Sequence, residues 1–271
     1  MSDYKSLAYS TKDFICTLTL LGPGKGNAMG PEFWDELPLA MDEINVNPSI
    51  KVIIVKGSGE HFSYGLDILR MMPKLGDLLG GQMMAEKRLK LKSLVKHMQS
   101  GFLKMHQSSK PVIAAVHGWC IGGGLNMISA ADIRLCSSDA KFSLRETRLA
   151  ITPDIGGLQF LPDIIGQGFT RELAYTAKDF DAKYAEKMGL VNDIFATPEK
   201  LFEEANNMAK QIVENSSVAV QGAKEVLNYC QDKSIEAGLD YVATWNSAFL
   251  QSEDFNEMLI AGMEKRKPNY K

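Results

Sequence analysis

The stretch from Pro111 to Ala131 constrains the fold more than any other. Pro111 to Val116 is a short apolar run rich in β-branched residues, the pattern of a strand buried on both faces. Gly118 and the triplet Gly122-Gly123-Gly124 follow, and Leu125 to Ala131 then reads as a helix. The whole stretch lacks acidic residues, Lys and Arg, and is about as long as a membrane span. Its glycines, His117, Asn126 and the strand–turn–helix pattern argue for a buried core instead. Three glycines in a row remove every Cβ, so backbone N–H groups can approach a ligand closely. A helix N-terminus adds unpaired N–H groups and a positive dipole end. Such a corner suits a phosphate or a developing oxyanion. Neither the dinucleotide fingerprint nor the P-loop sequence occurs. The same glycines also suit a close-packed corner that needs them only for space.

With 271 residues the chain can bury a large core in one or two domains. A net charge of −3 gives no electrostatic case for nucleic acid or an anionic membrane. The basic run Lys87-Arg88-Leu-Lys90-Leu-Lys92 stands beside Glu86 and reads as a solvated helix face. Four scattered cysteines (Cys16, Cys120, Cys136, Cys230) contain no C-x-x-C, which argues against a disulfide framework or zinc site and fits a reducing compartment. The four histidines form no metal-binding pair, so no metal cofactor is expected. Met1-Ser-Asp-Tyr-Lys5 lacks an apolar signal core, and Pro268-Asn-Tyr-Lys271 is not a peroxisomal tripeptide. The expectation is a cytoplasmic protein.

Along the chain, Phe14 to Leu20 alternates as a strand does, and Gly22 to Gly26 reads as a turn. A helix is predicted from Pro31, a good first helical residue, to Asn45. Val52–Val55 is a buried strand, and His61-Phe-Ser-Tyr-Gly-Leu-Asp67 is a second glycine-punctuated loop. Residues 68–82 read as irregular, with Met residues that suit either an apolar pocket or core filling. A long helix over 83–107 is expected to bend near Gly101. Ile133–Cys136 and Lys141–Leu144 read as extended, 146–157 as a loop, and 158–165 and 170–177 as helices. From Pro198 the pattern is wholly helical: 198–214, 217–230, 233–250 and 252–264. The coarse architecture is parallel βα units followed by helices, dividing the chain into residues 1–200 and an appended module over 201–271.

Two stretches together carry a resemblance. His61-Phe-Ser-Tyr-Gly-Leu-Asp67 and Lys110-Pro-Val-Ile-Ala-Ala-Val-His-Gly-Trp-Cys-Ile-Gly-Gly-Gly-Leu-Asn126, with Asp132-Ile-Arg134 beyond, closely resemble the enoyl-CoA hydratase/isomerase (crotonase) superfamily in order and spacing. Asn27-Ala28, Phe142 with Glu146, and Gly156 to Pro162 also match. The resemblance implies an α/β fold, a crotonase-like spiral of ββα units with a C-terminal helical oligomerisation module. It implies a homo-oligomer, a trimer or a hexamer, and an acyl-CoA thioester substrate whose coenzyme A is no separate cofactor. Two backbone N–H groups hold the thioester carbonyl in this family; by position they fall on Leu66 and Gly123. Tyr64 stands where the family commonly has a small residue. Lys25 lies where the family often contacts the CoA phosphate or ribose; a solvated loop lysine is the competing reading.

Side-chain carboxylates decide the reaction. The family's hydratases activate water with two glutamates, at positions matching Asn126 and Glu146. An amide orients water but takes no proton. Asp154, eight residues after Glu146, completes a pair like that of the Δ3,5-Δ2,4-dienoyl-CoA isomerases, where one carboxyl removes a proton next to the thioester and the other delivers one at the far carbon. These isomerases usually carry an Asp where Asn126 stands. The resemblance thus implies a dienoyl-CoA isomerase with Glu146 and Asp154 catalytic. The alternatives are a Δ3-Δ2-enoyl-CoA isomerase, a hydratase with an altered site, and an inert acyl-CoA-binding protein. Local readings also stand: Glu146 paired with Arg145 or Arg148, and Asp154 as a turn residue after Pro153. His61 and His117 read as packing or turn residues.

Overall fold

The computed structural model describes every residue except 1–3, 23, 24, 83 and 271. The turn expected over 22–26, the first predicted residue of the long helix, and both chain ends lie partly outside the described residues. In chain order the elements that build the main sheet are β1 (Leu7–Lys12), β2 (Ile15–Leu20), β3 (Val52–Gly57), β4 (Val112–Val116), β6 (Ile133–Ser137) and β9 (Asp193–Phe195). They lie side by side in that order; β1 and β2 are antiparallel and the other pairs parallel. A smaller mixed sheet joins β5 (Trp119–Ile121), β7 (Lys141–Ser143) and β8 (Asp179–Asp181).

Alternation along each strand divides the core into two layers. Ile53 and Val55 of β3, with Val112, Ala114 and Val116 of β4, face the larger one. It is filled from α1 (Pro31–Val46), α3 (Met84–His106) and α4 (Gly123–Ser129). Val52, Ile54, Ile113, Ala115 and Leu135 face the other side, where Leu201, Ala205 and Ala209 of α7 (Pro198–Val213) cover them. The first of the C-terminal helices therefore packs on the sheet. The helices beyond it are α8 (Ser217–Cys230), α9 (Ile235–Phe249) and α10 (Glu253–Glu264). Each begins on a serine, Ser216, Ser234 or Ser252, whose side chain accepts a backbone N–H three residues on. Lys224 of α8 ties that region back to the core through Asp132 at 2.7 Å.

Two segments depart from expectation. Residues 68–79 are not irregular but form α2 (Ile68–Leu79). Asp67 caps it by accepting the Arg70 N–H, Arg70 pairs with Glu32 of α1 at 2.6 Å, and Met71 is buried. Those contacts override Pro73 and Gly76, which disfavour a helix locally. The long helix α3 runs without a break through Gly101. That glycine makes room instead: a Cβ there would lie 2.9 Å from Leu37 Cδ2 of α1. Helices 158–165 and 170–177 are two arms of α5 (Gly157–Thr176), divided at non-helical Gly166. The short α6 (Ala182–Lys187) and strands β5, β8 and β9 carry too few residues for their period to stand out in the sequence, and β1, as long as β2, is exposed over most of its length and shows no clean alternation. Among the described residues, no helix is long and apolar enough to cross a membrane.

Candidate active site

The loop over 61–67 threads between β5 and the chain at Met29, bridging to each. Phe62 and Ser63 donate their N–H groups to the carbonyls of His117 and Trp119, at 2.9 and 3.0 Å, and Ile121 N–H returns to Ser63 O at 2.9 Å. On its other side Met29 N–H donates to Gly65 O at 2.7 Å, and Asp67 N–H to Met29 O at 3.0 Å. Asn27 clips the loop from outside. Its amide donates to the carbonyls of Ser58 and His61, both at 2.8 Å, and to Phe62 O at 3.2 Å.

This threading brings Leu66 and Gly123 together. A Cβ on Gly65, where φ is +76°, would lie 2.7 Å from the Gly123 backbone nitrogen and 2.5 Å from Ile121 O. Gly65 is required there both for its backbone angle and for the close approach. The Gly65 N–H is held by Ser63 Oγ and the Asp67 N–H by Met29 O; the Leu66 N–H between them has no acceptor among the described residues. Gly123 is the first residue of α4, so its N–H has no carbonyl one turn earlier within the helix.

Both positions open onto one cavity. Its floor is Leu66, Gly122 and Gly123; apolar walls come from Ile68 of α2, Met98 of α3, and Ile121, Leu149, Ile151 and Ile155. Tyr64, Trp119, Arg145, Glu146 and Asp154 complete the lining. Five of the seven residues singled out in the sequence, Leu66, Gly123, Tyr64, Glu146 and Asp154, therefore meet at one cavity. Asn126 and Lys25 do not line it. Asn126 is fully buried behind Glu146 and donates from Nδ2 to Glu146 Oε1 at 2.6 Å. Lys25 is exposed in the loop before Asn27.

Glu146 opens a 3₁₀ turn that ends at Leu149. Its carboxylate stands over the glycine corner: a Cβ on Gly122 would be 3.7 Å from Oε1. Oε2 is buried without a partner. Burial pushes the Glu146 carboxyl above its ordinary pKa, and the nearby Asp154 charge adds to this; a backbone hydrogen bond and the Asn126 amide pull the other way. Asp154 sits at the exposed rim, yet enough chain packs around its carboxyl that burial raises it too. Gln99 of α3 donates to the Asp154 carbonyl at 2.5 Å and holds that rim. Neither arginine pairs with Glu146. Arg145 and Arg148 both turn to Asp179, at 2.6 and 3.4 Å. His117 bonds the Gly59 carbonyl at 2.9 Å, and His61 accepts the Trp119 N–H at 3.3 Å, so both serve the turns.

The sequence reading missed the wall residues Ile68, Met98, Leu149, Ile151 and Ile155. The available signal was a cluster of apolar side chains flanking a polar loop. It missed Asn27 as the loop's clip, which no local pattern marks.

The sequence profile described as enoyl-CoA hydratase/isomerase matches residues 10–271. The chain belongs to this family. It is 42% identical, over 100% of its own length and 93% of the relative's, to the mitochondrial Delta(3,5)-Delta(2,4)-dienoyl-CoA isomerase of Dictyostelium discoideum. To the peroxisomal enzyme of that name from Arabidopsis thaliana it is 41% identical, over 100% of this chain and 98% of that one. A crotonyl-CoA hydratase of Syntrophomonas wolfei is 30% identical over 98% of both chains. Among solved structures, an enoyl-CoA hydratase from Bacillus anthracis superposes with a TM-score of 0.88 at 28% identity, covering 98% of this chain and 99% of that one. The α/β crotonase fold follows, with its two mixed sheets and C-terminal helices, and the chain is an acyl-CoA enzyme of the crotonase family.

Proposed function

We propose that the protein is a dienoyl-CoA isomerase that moves two conjugated double bonds by proton transfer. One observation carries this reading: two carboxyls with raised pKa, Glu146 and Asp154, line one apolar cavity beside the Leu66 and Gly123 N–H groups. The similarity to two dienoyl-CoA isomerases at about 40% identity supports it.

The Leu66 and Gly123 N–H groups donate to the thioester carbonyl oxygen of a 3,5-dienoyl-CoA. Glu146, ionised, takes a proton from the carbon next to the thioester. The C–H electron pair moves into the conjugated system, and negative charge collects on the oxygen between the two donors. Removing one such donor in an enzyme costs about 3 kcal/mol or more. Asp154, protonated, then delivers a proton to the far carbon, the extended anion collapses, and a 2,4-dienoyl-CoA results. The enzyme ends with Glu146 protonated and Asp154 ionised, and proton exchange with solvent restores both. No step needs a metal or redox cofactor. Asn126 in place of a second water-activating glutamate disfavours hydration.

The reading extends to a homo-oligomer, a trimer or hexamer, in which α8–α10 cover apolar side chains such as Ile235, Leu239 and Met263 that the single chain exposes. It keeps the cytoplasm as the compartment, to be checked by locating the tagged chain, since two similar enzymes bear mitochondrial and peroxisomal names. The deciding experiment is a spectrophotometric assay with 3,5-dienoyl-CoA and, in parallel, 2-enoyl-CoA. Isomerisation of the diene with negligible hydration is expected. Hydration without isomerisation overturns the proposal. Binding with no turnover of either substrate points to an inert acyl-CoA-binding protein.

A further inference from the structure

We infer that Asn126 is a positioning residue that tethers one oxygen of Glu146 and so makes the other, Oε2, the atom that accepts the substrate proton. The inference rests on the reading of Glu146 as the base. Three observations carry it. First, the side-chain hydrogen bond that the described residues give the Glu146 carboxylate is the 2.6 Å donation from Asn126 Nδ2 to Oε1, and Oε2 is buried without a partner. A base needs one free oxygen and one held oxygen, because a carboxylate that swings loses the geometry of proton transfer. Second, Asn126 cannot easily turn. It is fully buried on α4, and its Oδ1 is packed against Gly157 so closely that a Cβ on Gly157 would collide with it. The glycine at the start of α5 is thus the space the amide occupies. Third, the amide presents a donor without a charge.

The last point gives Asn126 a role that an aspartate could not reproduce. The groups around Glu146 are Asp154, Arg145 and Tyr64 in the lining of the same cavity, Arg148 in the same 3₁₀ turn, and Asn126 behind it. The two arginines are engaged by Asp179. An Asp at position 126 would place a second anion against Oε1, and the two carboxyls would share a proton. The neutral amide instead donates to the ionised form and keeps Glu146 a single, separately titrating base. The enzyme so built works further toward acid pH than one with two carboxyls at these positions.

The test uses the intact protein and the variants Asn126→Ala and Asn126→Asp. The ionisation of Glu146 is followed by carbon-13 NMR of labelled glutamate side chains, with Glu146→Gln identifying the signal. Isomerase pH profiles are recorded alongside. Loss of the donor in Asn126→Ala is expected to raise the Glu146 pKa by about one to two units. It should lower kcat roughly ten- to hundredfold with KM little changed. The isosteric Asn126→Asp should retain the fold, raise the same pKa further and carry the acid limb of the rate profile with it. A Glu146 signal that titrates at the same pH in all three proteins overturns the inference, whatever the activity. If the signal moves as expected but the wild-type protein isomerises no diene, the tether stands and the assignment of the reaction falls.

Discussion

The floor and the rim of the cavity are built in opposite ways. The floor is main chain. Met29, Ser63, Ile121 and Gly122 lock residues 63–66 and 122–123 into a strand-like network with bonds of 2.7 to 3.0 Å, in which every residue but the half-buried Tyr64 and Leu66 is buried. The rim, residues 145–155, is a single 3₁₀ turn, a left-handed Ala150 and irregular chain, with Leu149 and Ile151 largely exposed. Under the proposed function the two N–H groups of the floor bind any thioester carbonyl alike, and the two carboxyls of the rim set the reaction. A family that shares the floor and varies the rim can change chemistry without rebuilding the fold.

The sharpest way to break this division is to neutralise the rim. Glu146→Gln should lower kcat for diene isomerisation by about 10²–10⁴-fold, with thioester binding retained, as steady-state kinetics and a direct binding titration would show. Asp154→Asn should lower diene turnover comparably while sparing any single-bond shift in a 3-enoyl-CoA. Equal loss on both substrates would make Asp154 part of the general binding surface instead. Next in size is damage to the floor. A methyl group on Gly65 would strike Ile121 O and the Gly123 nitrogen, so Gly65→Ala should cost about 10²–10³-fold in kcat for every acyl-CoA substrate alike.

A smaller effect separates rim from floor by pH. Glu146 and Asp154 both have pKa values raised in the folded protein. Their contribution to stability is full below the ordinary carboxylate range, where folded and unfolded chains are both protonated. It is lost as pH rises through the raised values, because the folded state must then hold desolvated anions. The thermal midpoint of the wild-type protein should fall over that window, and Glu146→Gln should flatten the fall. A variant as pH-sensitive as the wild type would mean that other groups set the slope. The smallest change is expected at the mouth. Tyr64 packs its ring against His61, centroids 5.0 Å apart, and against Gly26. Tyr64→Ala should alter KM with little change in kcat, since the ring touches the entrance and not the reacting carbons.

Much of this was legible in the sequence because it is local. The buried strand before Gly118, the helix starts at Pro31, Pro198 and Ser216, and the break at Gly166 follow from backbone preferences within a few residues. The glycine pattern of the two loops gave the floor, since only glycine permits that approach of one chain to another. Other features depended on partners far along the chain. Residues 68–79 became helical through Glu32 and the core, against their own Pro73. Gly101 opened space for Leu37 and bent nothing. The arginines beside Glu146 turned to Asp179, more than thirty residues away. Asn126 lies twenty residues before Glu146 and Gln99 fifty-five before Asp154. The sequence by itself determined which residues had to be glycine, which faces had to be buried, and that two carboxyls were on offer. Only the tertiary structure decided that those carboxyls share a cavity and that Asn126 stands behind one of them. Spacing along the chain governs the backbone, while burial and pairing depend on neighbours that only folding brings together.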